Sequence, residues 1–269
     1  MAFADGVAVA LVGAFAAVRS GVWLLKPAVD EGVGVAGDDH AARLVPMRAP
    51  VSGALDLNTV DASAVSRAAS AITHADISVF KRAVDIAASL GLALCLAPIL
   101  LLTAIAIKLE SRGPVFYRQK RVGFEGRIFE VYKFRSMVND AERDGPQFAA
   151  VGDKRVTRVG KIIRRLRIDE IPQVVNVLRG EMSFVGPRPE RPEFVTDLEK
   201  AIPHYHQRHL VKPGITGWAQ VKYEYAATIE GAQEKLRYDL YYIRHFTPLL
   251  DLLIILMTVR VALFGLGSR

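Results

Sequence analysis

The chain has a single cysteine in 269 residues. Cys95 has no intramolecular partner, so a disulfide framework and a cysteine-built zinc site are both excluded. A reducing, cytoplasmic setting suits such a chain. Histidine gives no metal signal either: His204, His206, His209 and His245 lack ligand spacing and read as surface or interface residues. The apolar stretch 7–25 lacks a basic leader, so no secretory signal is expected. No internal repeat is evident, and the only biased tract lies between residues 26 and 77.

What is present is an uncommon pairing. The formal net charge is +7, yet the mean hydropathy is positive. A protein seated on an anionic membrane surface, or handling phosphates there, explains both. A soluble basic protein with an Ala/Val-rich core is the plainer explanation of composition alone.

The chain divides by pattern into three parts. Residues 1–25 form an apolar N-terminal segment interrupted by Arg19, open between a marginal membrane helix and a packed one. Residues 26–77 carry Pro27, Pro46, Pro50 and an acidic cluster; they read as a flexible linker with a short helix over 61–72. Residues 78–269 form the main domain. Its first segment, 79–110, is charge-free from Val84 to Ile107 except for Asp85. That length could cross a bilayer. Pro98 sits mid-segment, where it kinks or breaks a helix. Basic residues flank both ends, Lys81 and Arg82 before and Lys108 and Arg112 after. Those flanks suit a helix–break–helix that returns to one face, and a kinked span equally. The last apolar segment, 248–265, carries Asp251 and Arg260, which suits an interfacial helix; a buried core helix is the other reading.

Between these segments, 114–137 reads as a β-hairpin turning at Gly123 to Gly126. A polar loop (138–152), a basic helix over 157–168 and a second helix over 171–180 follow. Then come a proline-stiffened extended loop and an amphipathic helix over 228–244.

Four constellations could carry chemistry. In RRLRIDEIPQ, Asp169 and Glu170 follow Arg164, Arg165 and Arg167. An acidic pair before Pro172 ordinarily caps a helix. Clustered arginines, however, would hold Asp169 ionised. An ionised Asp is a competent nucleophile toward phosphorus, and a second carboxylate offers a hard oxygen site for Mg²⁺. If the first helix continues to Ile168, Arg165 faces Asp169. In YKFRSM, Lys133 and Arg135 at i, i+2 share a strand face and could converge on a diphosphate. In GPRPE, Arg188 between Pro187 and Pro189 is preorganised to clamp an anion. In KPGITGWAQ, Lys212, Gly214 and Gly217 suggest close backbone approach to a ligand, with Trp218 either a stacking platform or core. Each alone also fits a bland reading, an exposed basic face or a rigid loop.

The order of these motifs is more specific than any one. From about Val79 to the C-terminus the sequence resembles the bacterial sugar transferase family, the monotopic polyprenyl-phosphate phosphoglycosyl transferases. The segments that carry the resemblance are FKRAVDI…LAPILLL, GPVFYRQKRVG, YKFRSM, RRLRIDEIPQVVNVLRGEMSFVGPRPE and KPGITGWAQV. The resemblance implies an α+β, mainly helical fold. It implies anchoring by a re-entrant helix broken near Pro98 plus interfacial helices, with a small β-hairpin near the active site. It also implies a site on the cytoplasmic face of the bacterial inner membrane. Asp169 would be the nucleophile, Asp169 and Glu170 the Mg²⁺ site, and Lys133, Arg135, Arg164 and Arg188 the phosphate ligands. The expected reaction passes a sugar-1-phosphate from a UDP-sugar to polyprenyl (undecaprenyl) phosphate through an aspartyl intermediate. It releases UMP and initiates exopolysaccharide or other glycoconjugate assembly. The expected partners are UDP-sugar, polyprenyl phosphate and the bilayer, without nucleic acid; a homodimer stays open. Two departures stand out. Leu166–Arg167 replaces a Ser/Thr pair common in the family, and KYEYAATIE (222–230) replaces an Asn-Gly-Arg-like segment. The alternative class is a membrane-attached basic scaffold that binds anionic lipid or nucleic acid without catalysis.

Overall fold

The computed structural model describes residues 53–264, apart from 74, 142, 144, 146–152 and 224–227. The apolar segment 1–25 and residues 26–52 of the expected linker lie outside the described residues.

The rest of that linker is ordered. Helix α1 (Ala62–Thr73) begins at Asp61, whose Oδ1 accepts from the Ser63 and Ala64 amides at 2.9 and 3.1 Å. Val65, Ala69 and Ile72, spaced four and three apart, are buried in the main core together with Leu57. Gly53 accepts from Trp218 Nε1 at 2.7 Å, and Leu55 exchanges bonds with Arg237. The short helix expected over 61–72 is present, and it packs into the main core instead of belonging to a flexible linker.

Helix α2 (Ala75–Glu110) runs 36 residues without interruption. Pro98, expected to break it, lies inside it. Proline removes one backbone donor and costs about 3 kcal/mol, but the helical bonds on either side persist. Sequence periodicity is weak here because the helix is apolar all round. Packing supplies the asymmetry. Asp85, Ser89, Thr103 and Ile107 are buried, and Leu92, Leu96, Ile99 and Leu100 lie against the cores between them. Val79, Leu90, Leu94, Leu101 and Leu109 are exposed. Among the described residues, Ile77–Glu110 is the one stretch long and apolar enough to cross a membrane.

Strands β1 (Phe116–Val122) and β2 (Ile128–Phe134) form the expected antiparallel hairpin, pairing Phe116 with Phe134 and Val122 with Ile128. Helix α3 (Arg158–Arg165) is capped by Thr157 Oγ1, which accepts from the Gly160 amide at 2.9 Å. It stops three residues earlier than expected, because Arg167 adopts a left-handed conformation (φ 58°). A 3-10 turn (Ile168–Gln173) and α4 (Val174–Arg179) follow, ending on Gly180 at φ 83°. The premise that Arg165 shares a helix with Asp169 therefore fails.

Short strands β3 (Ser183–Val185) and β4 (Gly214–Thr216) pair in parallel, and sequence gave no sign of them. Their backbones touch. A Cβ on Gly214 would lie 2.1 Å from Gly186 N, and one on Gly217 2.2 Å from Gly186 O. These glycines serve strand-to-strand approach, not a ligand. Helices α5 (Pro192–Ala201), α6 (Trp218–Lys222), α7 (Ile229–Arg244) and α8 (Pro248–Phe264) complete the unit. Trp218 is core: it is buried and stacks on Tyr241.

Helix α8 exposes Leu249, Leu252, Leu256 and Val259. Asp251, expected on a polar stripe, instead points inward. Lys81 donates to its Oδ2 at 2.6 Å, and the Tyr242 hydroxyl donates to its Oδ1 at 2.8 Å. Lys81 also donates to the Val185 carbonyl at 3.1 Å. Breaking a buried pair by removing one partner typically costs about 3–5 kcal/mol, whereas apolar replacement of both costs far less. Asp251→Ala should therefore destabilise the detergent-solubilised protein by about that amount, and Lys81→Met with Asp251→Leu by less. Chemical unfolding curves compare them; a double variant as unstable as the single one contradicts the assignment.

Candidate active site

Lys133, Arg135, Arg164, Asp169, Glu170 and Arg188 all line one cavity of about 470 Å³. That volume lies within the range of small-ligand pockets. Four segments carry these six residues. β2 contributes Lys133, and the residue just after it is Arg135. α3 carries Arg164. The 3-10 turn carries the carboxylates, and the loop after β3 carries Arg188. Pro98 is exposed on α2, outside this cavity.

The 3-10 turn places the acidic pair. Its N-cap is Arg167, and no side chain caps it, so Asp169 is not a capping residue. Asn176 on the adjoining α4 fixes the turn against the hairpin. Its Oδ1 accepts from the Tyr132 amide at 3.0 Å, and its Nδ2 donates to the Glu130 carbonyl at 2.6 Å. Lys133 is thereby carried over Glu170.

The cations do not share themselves evenly. Glu170 Oε1 accepts from Lys133 Nζ at 3.1 Å and from Arg188 Nη2, and Oε2 accepts from Arg188 Nη1 at 3.0 Å. Burial opposes ionisation of Glu170, but Arg188 and Lys133 overcome it and hold the carboxyl well below the usual range. Arg188 is in turn raised by the Glu170 charge. Asp169 behaves oppositely. Burial, then the negative charge of Glu170, push it up to about 6, against the weaker pull of Lys133, Arg164 and Arg188. The expectation that the arginines would depress Asp169 is therefore reversed: the paired cations serve Glu170.

Arg135 also departs from expectation. It lines the cavity, but Nη1 donates to the Arg112 carbonyl (2.9 Å) and Asn139 Oδ1 (2.7 Å). Nη2 donates to Ser111 O (3.0 Å) and Oγ (2.8 Å). It ties the end of α2 to the hairpin.

Arg188 is held from behind. Arg208 Nη2 donates to the Arg188 carbonyl at 2.8 Å and to Asp239 Oδ2 at 2.8 Å, and both side chains are buried. Gln220 Oε1 accepts from Arg188 Nη1 at 3.2 Å. Glu190 lies 3.7 Å from both Arg121 and Lys235. Arg121 was legible in principle. Tyr117 pairs with Lys133, so Tyr117, Gln119 and Arg121 share that face of the hairpin, and all three line the cavity. Lys235 and Asp239, one turn apart on α7, are brought in by the fold alone.

Residues 77–265 match the family model of the bacterial sugar transferases. The chain belongs to that family. The UDP-N-acetylgalactosamine-undecaprenyl-phosphate N-acetylgalactosaminephosphotransferase of Aeromonas hydrophila is 52% identical over 189 residues, covering 70% of this chain and 45% of the relative. The undecaprenyl-phosphate glucose phosphotransferase of Komagataeibacter xylinus is 48% identical over 191 residues, 69% of this chain and 36% of the relative. The chain thus spans less than half the length of these two relatives. The exopolysaccharide production protein PSS of Rhizobium leguminosarum bv. phaseoli is 44% identical over 187 residues, 67% of this chain and 94% of the relative. The family match does not extend to residues 1–76.

The acidic pair suits the Mg²⁺ that the family implies. Mg²⁺ takes one or two carboxylates and fills its shell with water and substrate phosphates. Asp169, short of positive charge beside Glu170, supplies that donor chemistry, although the described residues contain no group of three or more His, Cys, Asp or Glu that could hold a metal.

In metal-free buffer, carbon-13 NMR of aspartate-labelled protein should place the Asp169 midpoint near 6, far above its ordinary 3.8. Lys133→Met should raise it further, since Lys133 favours the ionised form. A midpoint at or below the ordinary value contradicts this charge distribution.

Proposed function

We propose that the protein transfers a sugar-1-phosphate from a UDP-sugar to polyprenyl phosphate, releasing UMP and starting assembly of an exopolysaccharide or related glycan. One observation carries the reading: the Asp169 carboxyl lines a cavity whose wall also holds Lys133, Arg164, Arg188 and Arg121. A diphosphate needs such a cationic wall, and a phosphorus nucleophile needs to sit beside it. The names of the relatives agree with the reaction.

An Asp169 carboxylate oxygen attacks the β-phosphorus of the UDP-sugar. The new O–P bond forms as the bond to the bridging oxygen breaks, and that oxygen leaves with UMP. The sugar phosphate then rests on Asp169. A phosphate oxygen of polyprenyl phosphate attacks the same phosphorus, the Asp–O–P bond breaks, and the carboxylate is restored with polyprenyl-diphosphate-sugar as product. Through both steps Lys133, Arg164 and Arg188 stabilise charge on the phosphate oxygens. Mg²⁺ held at Asp169 and Glu170 would offset further charge on the diphosphate.

The exposed apolar faces of α2 and α8 would lie in the bilayer, where the lipid acceptor resides. Both ends of α2 are fastened to the catalytic unit. Lys81 donates to the Val185 carbonyl near one end, and at the other Glu110 accepts from the Arg158 and Val159 amides at 2.7 and 3.1 Å. That supports placing both ends on one side of the membrane; the side proposed for them and for the site is the cytoplasmic face.

Asp169→Asn should lower UMP release from UDP-sugar by at least about 10³-fold, as loss of a nucleophile does. Trapped wild-type protein should carry a sugar-phosphate mass on Asp169. UMP release at the wild-type rate in the variant would defeat the nucleophile assignment.

A further inference from the structure

Glu170 occupies the cations the diphosphate needs. Its two oxygens take three charge-assisted bonds, from Lys133 Nζ and from both terminal nitrogens of Arg188. This is the bidentate, fork-on-carboxylate arrangement that arginine also makes with a phosphate group. The Glu170 side chain is largely covered, so its negative charge replaces solvent as the counter-ion for Lys133 and Arg188. A phosphate cannot take both forks of Arg188 while Glu170 holds them. The Arg188 main chain is fixed, and Gln220 Oε1 also accepts from its Nη1 at 3.2 Å. The Arg188 carbonyl is bound by Arg208, its neighbours are Pro187 and Pro189, and the carbonyls of those prolines accept from Gly214 N at 2.9 Å and Arg121 Nη1 at 3.0 Å. The movable partner is Glu170, an unbranched side chain on a short 3-10 turn.

We infer that Glu170 is a placeholder for the substrate's diphosphate. It holds Lys133 and Arg188 in place while the site is empty, and the diphosphate displaces it on binding. The inference rests on the transferase reading above and gives Glu170 a role distinct from Asp169. Displacement also turns the Glu170 carboxylate out of its ion pairs, so it becomes available as a ligand only once substrate is present. Substrate thus completes the acidic pair.

The test is binding of inorganic pyrophosphate to the detergent-solubilised full chain, in EDTA, by calorimetry. Glu170→Gln should bind pyrophosphate about tenfold tighter than wild type, the change expected if Glu170 closes the cations in about nine molecules of ten. Glu170→Asp keeps the charge but withdraws it by one methylene, and should also bind tighter. Glu190→Gln, which removes a charge from the same cavity without opening Arg188, should change binding much less. Arg188→Gln should weaken it. Matched far-ultraviolet circular dichroism and melting temperatures show that each variant is folded, and Glu170→Ala substitutes for any that is not. Unchanged or weaker binding in the Glu170 variants overturns the inference. So does tightening in Glu170→Gln matched by Glu190→Gln and absent in Glu170→Asp, which would be charge repulsion alone. Either result leaves Asp169-dependent UMP release, and so the transferase reading, intact. Absence of pyrophosphate binding in every protein overturns the inference, while the transferase reading stands or falls on Asp169-dependent UMP release.

Discussion

Four consecutive carbonyls, from Pro187 to Glu190, are all held, by donors from three parts of the chain. Gly214 N binds Pro187 O, Arg208 binds Arg188 O, Arg121 binds Pro189 O and Val122 N binds Glu190 O at 2.9 Å. Two prolines restrict the backbone between them, so little conformational entropy remains for Arg188 to lose. The rest of the site is arranged around this fixed point. β4 and β1 grip the segment from either side. Arg208, buried and paired with buried Asp239, could not be left without its acceptor except at the cost of an unpaired charge. The backbone that presents the Arg188 guanidinium is accordingly held at every residue from Pro187 to Glu190.

Adjacent carboxylates in one buried setting would ordinarily suppress each other's ionisation equally. Here geometry separates them. Glu170 reaches Arg188 and Lys133 and stays ionised; Asp169 feels the Glu170 charge and burial, and its carboxyl rises to about 6. Environments that push paired titratable groups apart are how proteins assign different tasks to chemically similar side chains. A residue one methylene longer, one position later on a tight turn, suffices for the division. The left-handed Arg167 is what sets that turn. Had α3 continued to Ile168, the pair would have sat on an ordinary helical face at different angles.

Much of this was legible in the sequence, and the failures share a cause. The hairpin and the helices around the acidic pair follow from alternation and turn residues, whereas the set Lys133, Arg164, Asp169, Glu170, Arg188 came together only through the order of the motifs and the family resemblance. Misread residues were those whose neighbours come from elsewhere in the chain. Gly214 and Gly217 looked like ligand contacts because glycine marks close approach, and sequence does not say approach to what; Gly186 is the answer. Arg135 looked like a second phosphate clamp because strand spacing gives its face but not its acceptors at Ser111 and Arg112. Pro98 looked like a break because its local penalty is large, yet an apolar helix packed along one side keeps its other backbone bonds. Lys235 and Asp239 carried no signal, since their position on α7 is functional only after folding.

The apolar helices α2 and α8 and the segment that carries Arg188 are joined through buried polar contacts. Asp85 on α2 accepts from Ser183 Oγ and Phe184 N, both at 2.9 Å, and Lys81, one turn earlier, donates to the Val185 carbonyl and to Asp251 on α8. These bonds terminate on β3, and three residues beyond its end stands Arg188. Apolar burial alone would hold α2 against the core but would leave it free to slide, because an all-round apolar surface has little preference among registers. Directional bonds to a strand remove that freedom. On the proposed transferase reading the acceptor lies in the bilayer, and the height of Asp169 relative to the lipid phosphate would have to be fixed. Asp85 and Lys81, a carboxylate and an ammonium buried on α2 and both bonded to the strand that leads to Arg188, would provide that register. The cost of burying charge in an otherwise apolar helix is then explained by position rather than by stability.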